Sequence, residues 1–217
     1  MTFYFGDILP YLPQMLQALL LSLYVTVLSF AAGSVLGVFL YLAKSSDIKA
    51  LRLASSAYIE VMRNTPLLVQ LYLIYFGLGQ VGISFNPLWS ALIGMTLNNS
   101  AYTAEIFRSG FESVPVGLRE AASALGLRFH QTVRYIVLKP AIRNVFPSLT
   151  NQFIVLFLFS SVGSVISLNE LTSVLRELNS QTLRTLEVFT YGAVLYYLTS
   201  AIIAFGSRLT EKVLFRW

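Results

Sequence analysis

The sequence has no cysteine, a single histidine and few charged residues. Only 12% of its 217 residues are Asp, Glu, Lys or Arg, whereas soluble domains carry about 25%. The lack of cysteine excludes disulfides and thiolate metal sites. His130 has no acidic cluster near it, so neither a metal site nor the nucleophile and base of an intramembrane enzyme is expected.

Long apolar segments dominate what is present. The chain is 56% hydrophobic, with a mean hydropathy of +0.69, and a membrane-spanning helix needs about 20 apolar residues. Four stretches carry no charge, and the one at 64–104 is long enough for two helices separated by turn residues at 77–87. We therefore predict an all-α integral membrane protein with one transmembrane domain over 1–217. Its five transmembrane helices lie at approximately 14–43, 57–80, 87–112, 141–167 and 187–209.

The basic residues predict the orientation of these helices. Thirteen of the 15 Lys and Arg residues fall at 44–63, 108–143 and 208–216, and only Arg176 and Arg184 fall on the other side. Cytoplasmic loops carry an excess of Lys and Arg. The N-terminus is therefore predicted outside and the C-terminus in the cytoplasm. The same placement explains the net charge of +5 without a nucleic-acid partner.

A polar insert, approximately 113–140, separates the third and fourth predicted spans. Helix-forming residues at 118–125 are followed by Gly126, which suits the left-handed position that ends a helix. A second helix is predicted over 128–138, where Pro140 should interrupt it. A connection of this length is more often functional than a plain link, which favours a docking element.

Four motifs carry a resemblance to a known family. They are Glu120-Ala121-Ala122 with Gly126, EVMRNTPLLVQLYLIYFG at 60–77, LNNSAYTAEIFRSGFESVPVG at 97–117 and NQFI at 151–154. The first resembles the EAA signature of the membrane subunits of ABC importers. Their order along the chain is similar to that of the polar amino-acid permeases, and the resemblance covers almost the whole sequence.

The resemblance implies a type I ABC importer transmembrane fold in the bacterial cytoplasmic (inner) membrane. The permease would move polar amino acids by alternating access, together with a second membrane subunit and an extracytoplasmic substrate-binding protein. A cytoplasmic ATPase dimer would hold ATP and Mg, since this chain has no GxxxxGK[ST] phosphate loop. We expect no catalytic residue here. The residues expected to couple the chain to the ATPase are Glu120, Ala121, Ala122, Leu125 and Gly126.

One departure from the family concerns the position of an acid. After NQFI the family commonly carries Lys-Asp-Thr-Ser, whereas this chain has Leu158, Phe159, Ser160 and Ser161. The acid contributes to an amino-acid pocket in relatives whose membrane subunits bind substrate. Its replacement by Phe159 favours a heterodimer in which the other subunit holds most ligand contacts, with a homodimer as the alternative.

Polar residues within the predicted spans are candidates for the translocation pathway. Asn98, Tyr102 and Glu105 share one helix face, and polar residues at membrane depth generally face an interior or a water-filled cavity. The alternative for the asparagines is hydrogen bonding between helices. The candidate pathway residues are Asn98, Asn99, Tyr102, Gln152 and Phe159.

Two pairs of opposite charges lie three residues apart. Glu60 with Arg63, and Glu105 with Arg108, could form ion pairs on one helix face. We interpret both pairs as structural, with a gate at the inner mouth as the alternative.

A different class of protein, a self-gated channel or ion-coupled carrier for small polar solutes, is the second functional hypothesis. It would need buried mid-span charges or an inverted repeat, and neither is evident.

Overall fold

The computed structural model describes residues 4–215, and every regular element in that range is helical. Arg216, the last of the basic residues, lies outside the described residues. A 3-10 turn, Phe5–Tyr11, leads into the first helix, and another, Ser160–Ile166, follows the eighth. The ten α-helices are α1 Leu12–Lys44, α2 Lys49–Asn64, α3 Leu67–Tyr72, α4 Leu78–Gln80, α5 Pro87–Glu112, α6 Val116–Ala124, α7 Phe129–Gln131, α8 Leu138–Phe159, α9 Leu171–Thr182 and α10 Thr185–Leu214.

Among the described residues, three helical stretches are long and apolar enough to cross a membrane. They are Phe5–Lys44, Phe129–Ile166 and Thr185–Leu214, and a shorter apolar stretch covers Leu67–Gln80. Helix α5 has 26 residues and is roughly 39 Å long at 1.5 Å per residue, but it carries five buried polar side chains: Ser90, Asn98, Asn99, Ser100 and Thr103. The prediction of five spans therefore stays a prediction for α5 and for 57–80.

Helix α1 packs closely along α5 because two glycines remove side chains at their contact. A Cβ on Gly33 would lie 2.7 Å from the Asn99 amide nitrogen, and one on Gly37 would overlap the Thr103 hydroxyl. Thr103 Oγ1 instead donates a hydrogen bond to the Gly33 carbonyl at 3.1 Å. The close approach therefore aligns the polar residues of α5 against the α1 backbone.

The second predicted span is not one helix, because the chain bends at Thr65 and Pro66 between α2 and α3. Pro66 has no N–H to donate to the Met62 carbonyl. The Gln70 side chain replaces that donor, since its Nε2 lies 3.0 Å from the carbonyl oxygens of both Met62 and Thr65. Gln70 thus stabilises the bend from within the next helix.

The prediction that Pro140 ends the second helix of the insert was wrong. Helical structure runs continuously from Phe129 through Pro140 and beyond, with a π-helical turn at Thr132–Val137. In an α-helix the proline ring would clash with the carbonyl four residues earlier, which is that of Ile136. The wider π turn contains this carbonyl and allows the helix to continue.

The opposite end of the helices is held together by Glu170, which caps α9. Its carboxylate accepts from the backbone N–H groups of Thr172 and Ser173 at 2.9 and 2.8 Å and from the Tyr196 hydroxyl of α10 at 3.0 Å. Ser22 of α1 donates to the same carboxylate at 3.5 Å. Glu170 is fully buried, so it joins three helices away from water.

Candidate functional site

Glu105 forms a cluster with three cations from three helices. Its carboxylate lies 2.6 Å from Lys44 Nζ of α1, 2.8 Å from Arg108 Nη2 of α5 and 3.8 Å from Arg63 Nη1 of α2. Arg108 also contacts Glu112 at 2.5 Å. The cluster, hereafter the Glu105 cluster, therefore ties together the basic ends of α1, α2 and α5.

The structure confirms the contact predicted between Glu105 and Arg108 but not that between Glu60 and Arg63. Arg63 points towards α5, where its guanidinium lies 5.6 Å from the Tyr102 ring centroid. Within residues 4–215 it pairs with Glu105 rather than with Glu60. Arg63 thus contacts both the Glu105 carboxylate and the Tyr102 ring, and each of these groups attracts a cation.

Two cavities flank the Glu105 cluster. The larger, about 600 Å³, lies between α5 and α8 and is lined by Arg63, Tyr102, Glu105 and Gln152, among others. The smaller, about 350 Å³, lies between α1, α2 and α5, and Glu60 is among its lining residues. Of the candidate pathway residues, Tyr102 and Gln152 thus face open space beside the charges.

Asn98 and Asn99 do not line these cavities, because both side chains are buried between helices. Asn98 donates to Gln70 Oε1 at 3.2 Å. Asn99 accepts from Gln152 Nε2 at 3.1 Å and donates to the Phe30 carbonyl at 3.4 Å. Their assignment to the pathway surface is therefore corrected: both asparagines have the alternative role, which is hydrogen bonding between helices.

Phe159 lies apart from the other pathway candidates. It is the last residue of α8, and 41% of its surface is exposed. It also lines neither cavity beside the Glu105 cluster. Phe159 could therefore line a pathway only together with a second membrane subunit.

The polar insert ends its first helix as the sequence predicted, although the helix begins at Val116 rather than Leu118. Gly126 has φ +74°. Its N–H donates to the Ser123 carbonyl, and the N–H of Leu127 donates to that of Ala122, both at 3.0 Å. This pair of hydrogen bonds is a Schellman motif, in which the left-handed residue is usually glycine.

The insert is anchored on one side and exposed on the other. Arg119 Nη2 donates to the Phe111 carbonyl at 2.9 Å, and Asn144 Nδ2 donates to Ser113 Oγ at 2.8 Å. Ala122 is buried, whereas Glu120 and Ala121 are exposed. Leu125 and Phe129 are the most exposed apolar side chains of the insert, at 80% and 85%. A firmly held turn therefore presents apolar side chains to the outside.

Sequence reasoning missed Lys44 and Phe129 as members of these sites. Lys44 counted only towards orientation, and its contact with Glu105 spans 61 residues, so no local spacing indicates it. Phe129 follows the Gly126 turn, and an aromatic residue in a polar insert was the one available signal.

Comparison with known proteins decides what these features belong to. Residues 33–210 match the family model described as the binding-protein-dependent transport system inner membrane component. The chain belongs to this family. It is therefore an integral membrane component of a transport system, which agrees with its long apolar helices.

Relatives of this permease include amino-acid permeases. It is 36% identical over 200 residues to the probable amino-acid ABC transporter permease YckA of Bacillus subtilis (strain 168), covering 92% of this chain and 88% of that one. It is 33% identical to the glutamine transport system permease GlnP of Escherichia coli (strain K12), covering 98% of both. A solved structure described as an amino acid ABC transporter with histidines is 37% identical, with a TM-score of 0.93 over 98% of this chain and 99% of that one.

Proposed function

We propose that the permease moves polar amino acids across a bacterial cytoplasmic membrane by alternating access, driven by a separate ATPase dimer that binds ATP and Mg. Its five spans, at approximately 14–43, 57–80, 87–112, 141–167 and 187–209, place the N-terminus outside and the insert and C-terminus in the cytoplasm. The amino-acid ABC permeases among its relatives support this substrate class. An extracytoplasmic binding protein would deliver the amino acid.

The observation that carries the proposal is the exposed turn of the coupling insert. Leu125 and Phe129 project from a turn whose backbone is fixed by the Schellman motif at Gly126. Apolar side chains this exposed are typical of a protein interface. The π-helical continuation into α8 offers a direct mechanical link from that interface to a long apolar helix.

The proposed gate at the cytoplasmic side is the Glu105 cluster. Its ion pairs join α1, α2 and α5 beside two cavities. The cations of the cluster are partly exposed, and ion pairs that water reaches are weak enough to separate when helices move. ATPase closure would shift the insert, and the cluster would then rearrange as the cavity opens to one side.

The proposed assembly is a heterodimer of membrane subunits. Phe159 stands where substrate-binding subunits of the resembled family carry an acid, and it lines neither of the two cavities beside the Glu105 cluster. Purification of a transporter containing two copies of this chain, with one amino acid bound in each, would contradict the heterodimer and favour a homodimer.

A glycine substitution tests the coupling assignment. Gly126→Val forces a β-branched residue into φ +74°, a backbone strain of about 1–3 kcal/mol. The variant should reduce both co-purification of the ATPase and ATP-driven uptake in proteoliposomes by about tenfold. Gly206→Val on α10 is the control, since nothing lies within 4 Å of its Cβ and its φ is ordinary. Uptake unchanged in Gly126→Val, or uptake by the chain alone without ATPase, would overturn the proposal.

A further inference from the structure

Two adjoining cavities form one groove between the membrane helices and the coupling insert. The inner cavity, about 330 Å³, lies between α1, α5 and α8, and all its lining side chains are apolar or aromatic, Val38, Phe107 and Ile142 among them. The outer cavity, about 540 Å³, lies against the insert. The two share Tyr41, Leu42 and Phe111 as lining residues.

The shared wall of the groove is an aromatic pair. The rings of Tyr41 and Phe111 stack with centroids 5.4 Å apart and planes 17° apart. Flat stacked rings leave a smooth apolar surface from the inner cavity to the outer one. The groove, hereafter the Phe111 groove, thus changes along its length from a wholly apolar interior to a mouth that includes Arg119, Ser123 and Thr132.

Arg119 gives the mouth a positive charge that is held in place. Its Nη2 donates to the Phe111 carbonyl at 2.9 Å, and within residues 4–215 no carboxylate forms an ion pair with it. Lys44 at the end of α1 and Arg108 near the end of α5 are engaged by Glu105 and do not line the groove. Guanidinium has five N–H donors, so Arg119 retains donors for an anionic oxygen.

We propose that the Phe111 groove binds an anionic phospholipid, with one acyl chain in the inner cavity and the phosphate at Arg119. An apolar tail joined to an anionic head matches the change of lining along the groove. A partner helix packed in an apolar groove needs no anionic group at one end, whereas a phospholipid supplies one, so the positive mouth at Arg119 favours the lipid as the occupant.

The site rests on the proposed function in one respect, because it assigns the basic ends of α1, α5 and α8 to the cytoplasmic leaflet, where anionic lipid head groups attract Lys and Arg. Arg119 and Ser123 belong to α6 of the coupling insert. A lipid in this groove would therefore contact the insert and the membrane helices at once, and it would stabilise the position of the insert against α1.

The test uses the purified transporter complex reconstituted in phosphatidylcholine vesicles. The probe is a photoreactive phosphatidylglycerol, compared with a photoreactive phosphatidylcholine, and labelling of peptides from α1 and α8 is measured. Phosphatidylglycerol should label Leu42 or Ile142 peptides in preference to phosphatidylcholine. Arg119→Gln should reduce that preference about fivefold, the effect expected for one basic residue at a lipid surface.

Matched controls separate a specific site from general lipid contact. Arg52→Gln removes another exposed arginine that does not line the groove, and it should leave the preference unchanged. Ile142→Trp should fill the inner cavity and reduce labelling, whereas Ile202→Trp on the exposed surface of α10 should not. An excess of inorganic phosphate should not displace the probe.

Three results would overturn the lipid site. They are equal labelling by both head groups, full preference in Arg119→Gln, and cross-linking of Ile142 to a second membrane subunit that fills the groove. ATP-driven uptake by the same vesicles is measured in parallel. Uptake without preferential labelling refutes the lipid site alone, whereas loss of ATPase association in the unmodified complex refutes the proposed function.

Discussion

Two carboxylates at opposite ends of the helices are stabilised in different ways. Glu105, 15% exposed, is surrounded by Lys44, Arg63 and Arg108 beside open cavities. Glu170, fully buried, accepts hydrogen bonds from backbone N–H groups and from hydroxyls, and no cation forms an ion pair with it within residues 4–215. The carboxylate that water reaches, Glu105, is paired with cations. The carboxylate that water does not reach, Glu170, is stabilised by the backbone N–H groups of a helix N-terminus and by neutral hydroxyl donors.

The difference bears on movement. Ion pairs near water are worth about 0–1 kcal/mol each, so the Glu105 cluster can rearrange at small cost. A buried acceptor that loses its donors costs about 1–3 kcal/mol, so the helices joined by Glu170 are expected to move as one body. We therefore predict that the helices rearrange at the end that contains the Glu105 cluster and stay fixed relative to one another at the end that contains Glu170.

The largest expected effect comes from removing the fixed carboxylate. Glu170→Ala should lower the free energy of unfolding by about 2–4 kcal/mol, because it removes a helix cap and leaves buried donors unpaired. Thermal unfolding in detergent measures this, with Glu177→Ala on α9 as the control for an acid outside this network. Equal melting of the Glu170 variant and the wild type would end the claim of a fixed end.

A smaller effect of the same residue should appear as a pH dependence. Burial raises the pKa of the Glu170 carboxyl above its usual 4.5, although hydrogen bonds from Thr172, Ser173, Tyr196 and Ser22 oppose the shift. The folded state then holds a proton that the unfolded state has released. The contribution of Glu170 to the free energy of unfolding should be fully present below pH 4.5 and should be lost as pH rises through the raised pKa.

Glu170→Gln provides the reference for that pH dependence, since an amide does not titrate. As pH rises above about 4.5, the melting temperature of the wild type should fall relative to that of this variant. A difference that is constant with pH would show that Glu170 is not preferentially protonated in the folded state.

Glu105→Gln should destabilise the protein less than Glu170→Ala, by about 1 kcal/mol, because its partners are cations near water. Added salt should reduce the stability difference between the wild type and Glu105→Gln, since salt screens ion pairs that water reaches. The stability difference between the wild type and Glu170→Ala should not change with salt. Melting in low and high salt measures both. A loss as large as that of Glu170→Ala would remove the distinction between the two ends.

The smallest effect is expected at Glu60. It is exposed and forms no ion pair within residues 4–215, so Glu60→Gln should change stability by less than about 0.5 kcal/mol. The same melting measurement compares it with Glu105→Gln. Similar losses in the two variants would restore the predicted contact between Glu60 and Arg63.

Local patterns predicted the parts of the candidate site that depend on neighbouring residues. Gly126 was predicted at a helix end because glycine suits the left-handed position after a run of helix-forming residues. Glu105 was predicted to contact Arg108 because the two lie three residues apart on one helix. The contact of Lys44 with Glu105 and the role of Gln70 at the bend were not predicted from the sequence. Lys44 acts across 61 residues, and Gln70 serves a bend that no spacing rule describes.

By itself, the sequence determined that the protein is helical and belongs in a membrane, that its insert turns at Gly126, and that its motifs resemble the amino-acid permeases. Each depends on composition or on residues near each other in the chain. Only the tertiary structure decided that Asn98 and Asn99 lie between helices, that Arg63 pairs with Glu105, and that Glu170 joins three helices. Which polar groups meet depends on how the helices are placed, and spacing along the chain does not encode that placement.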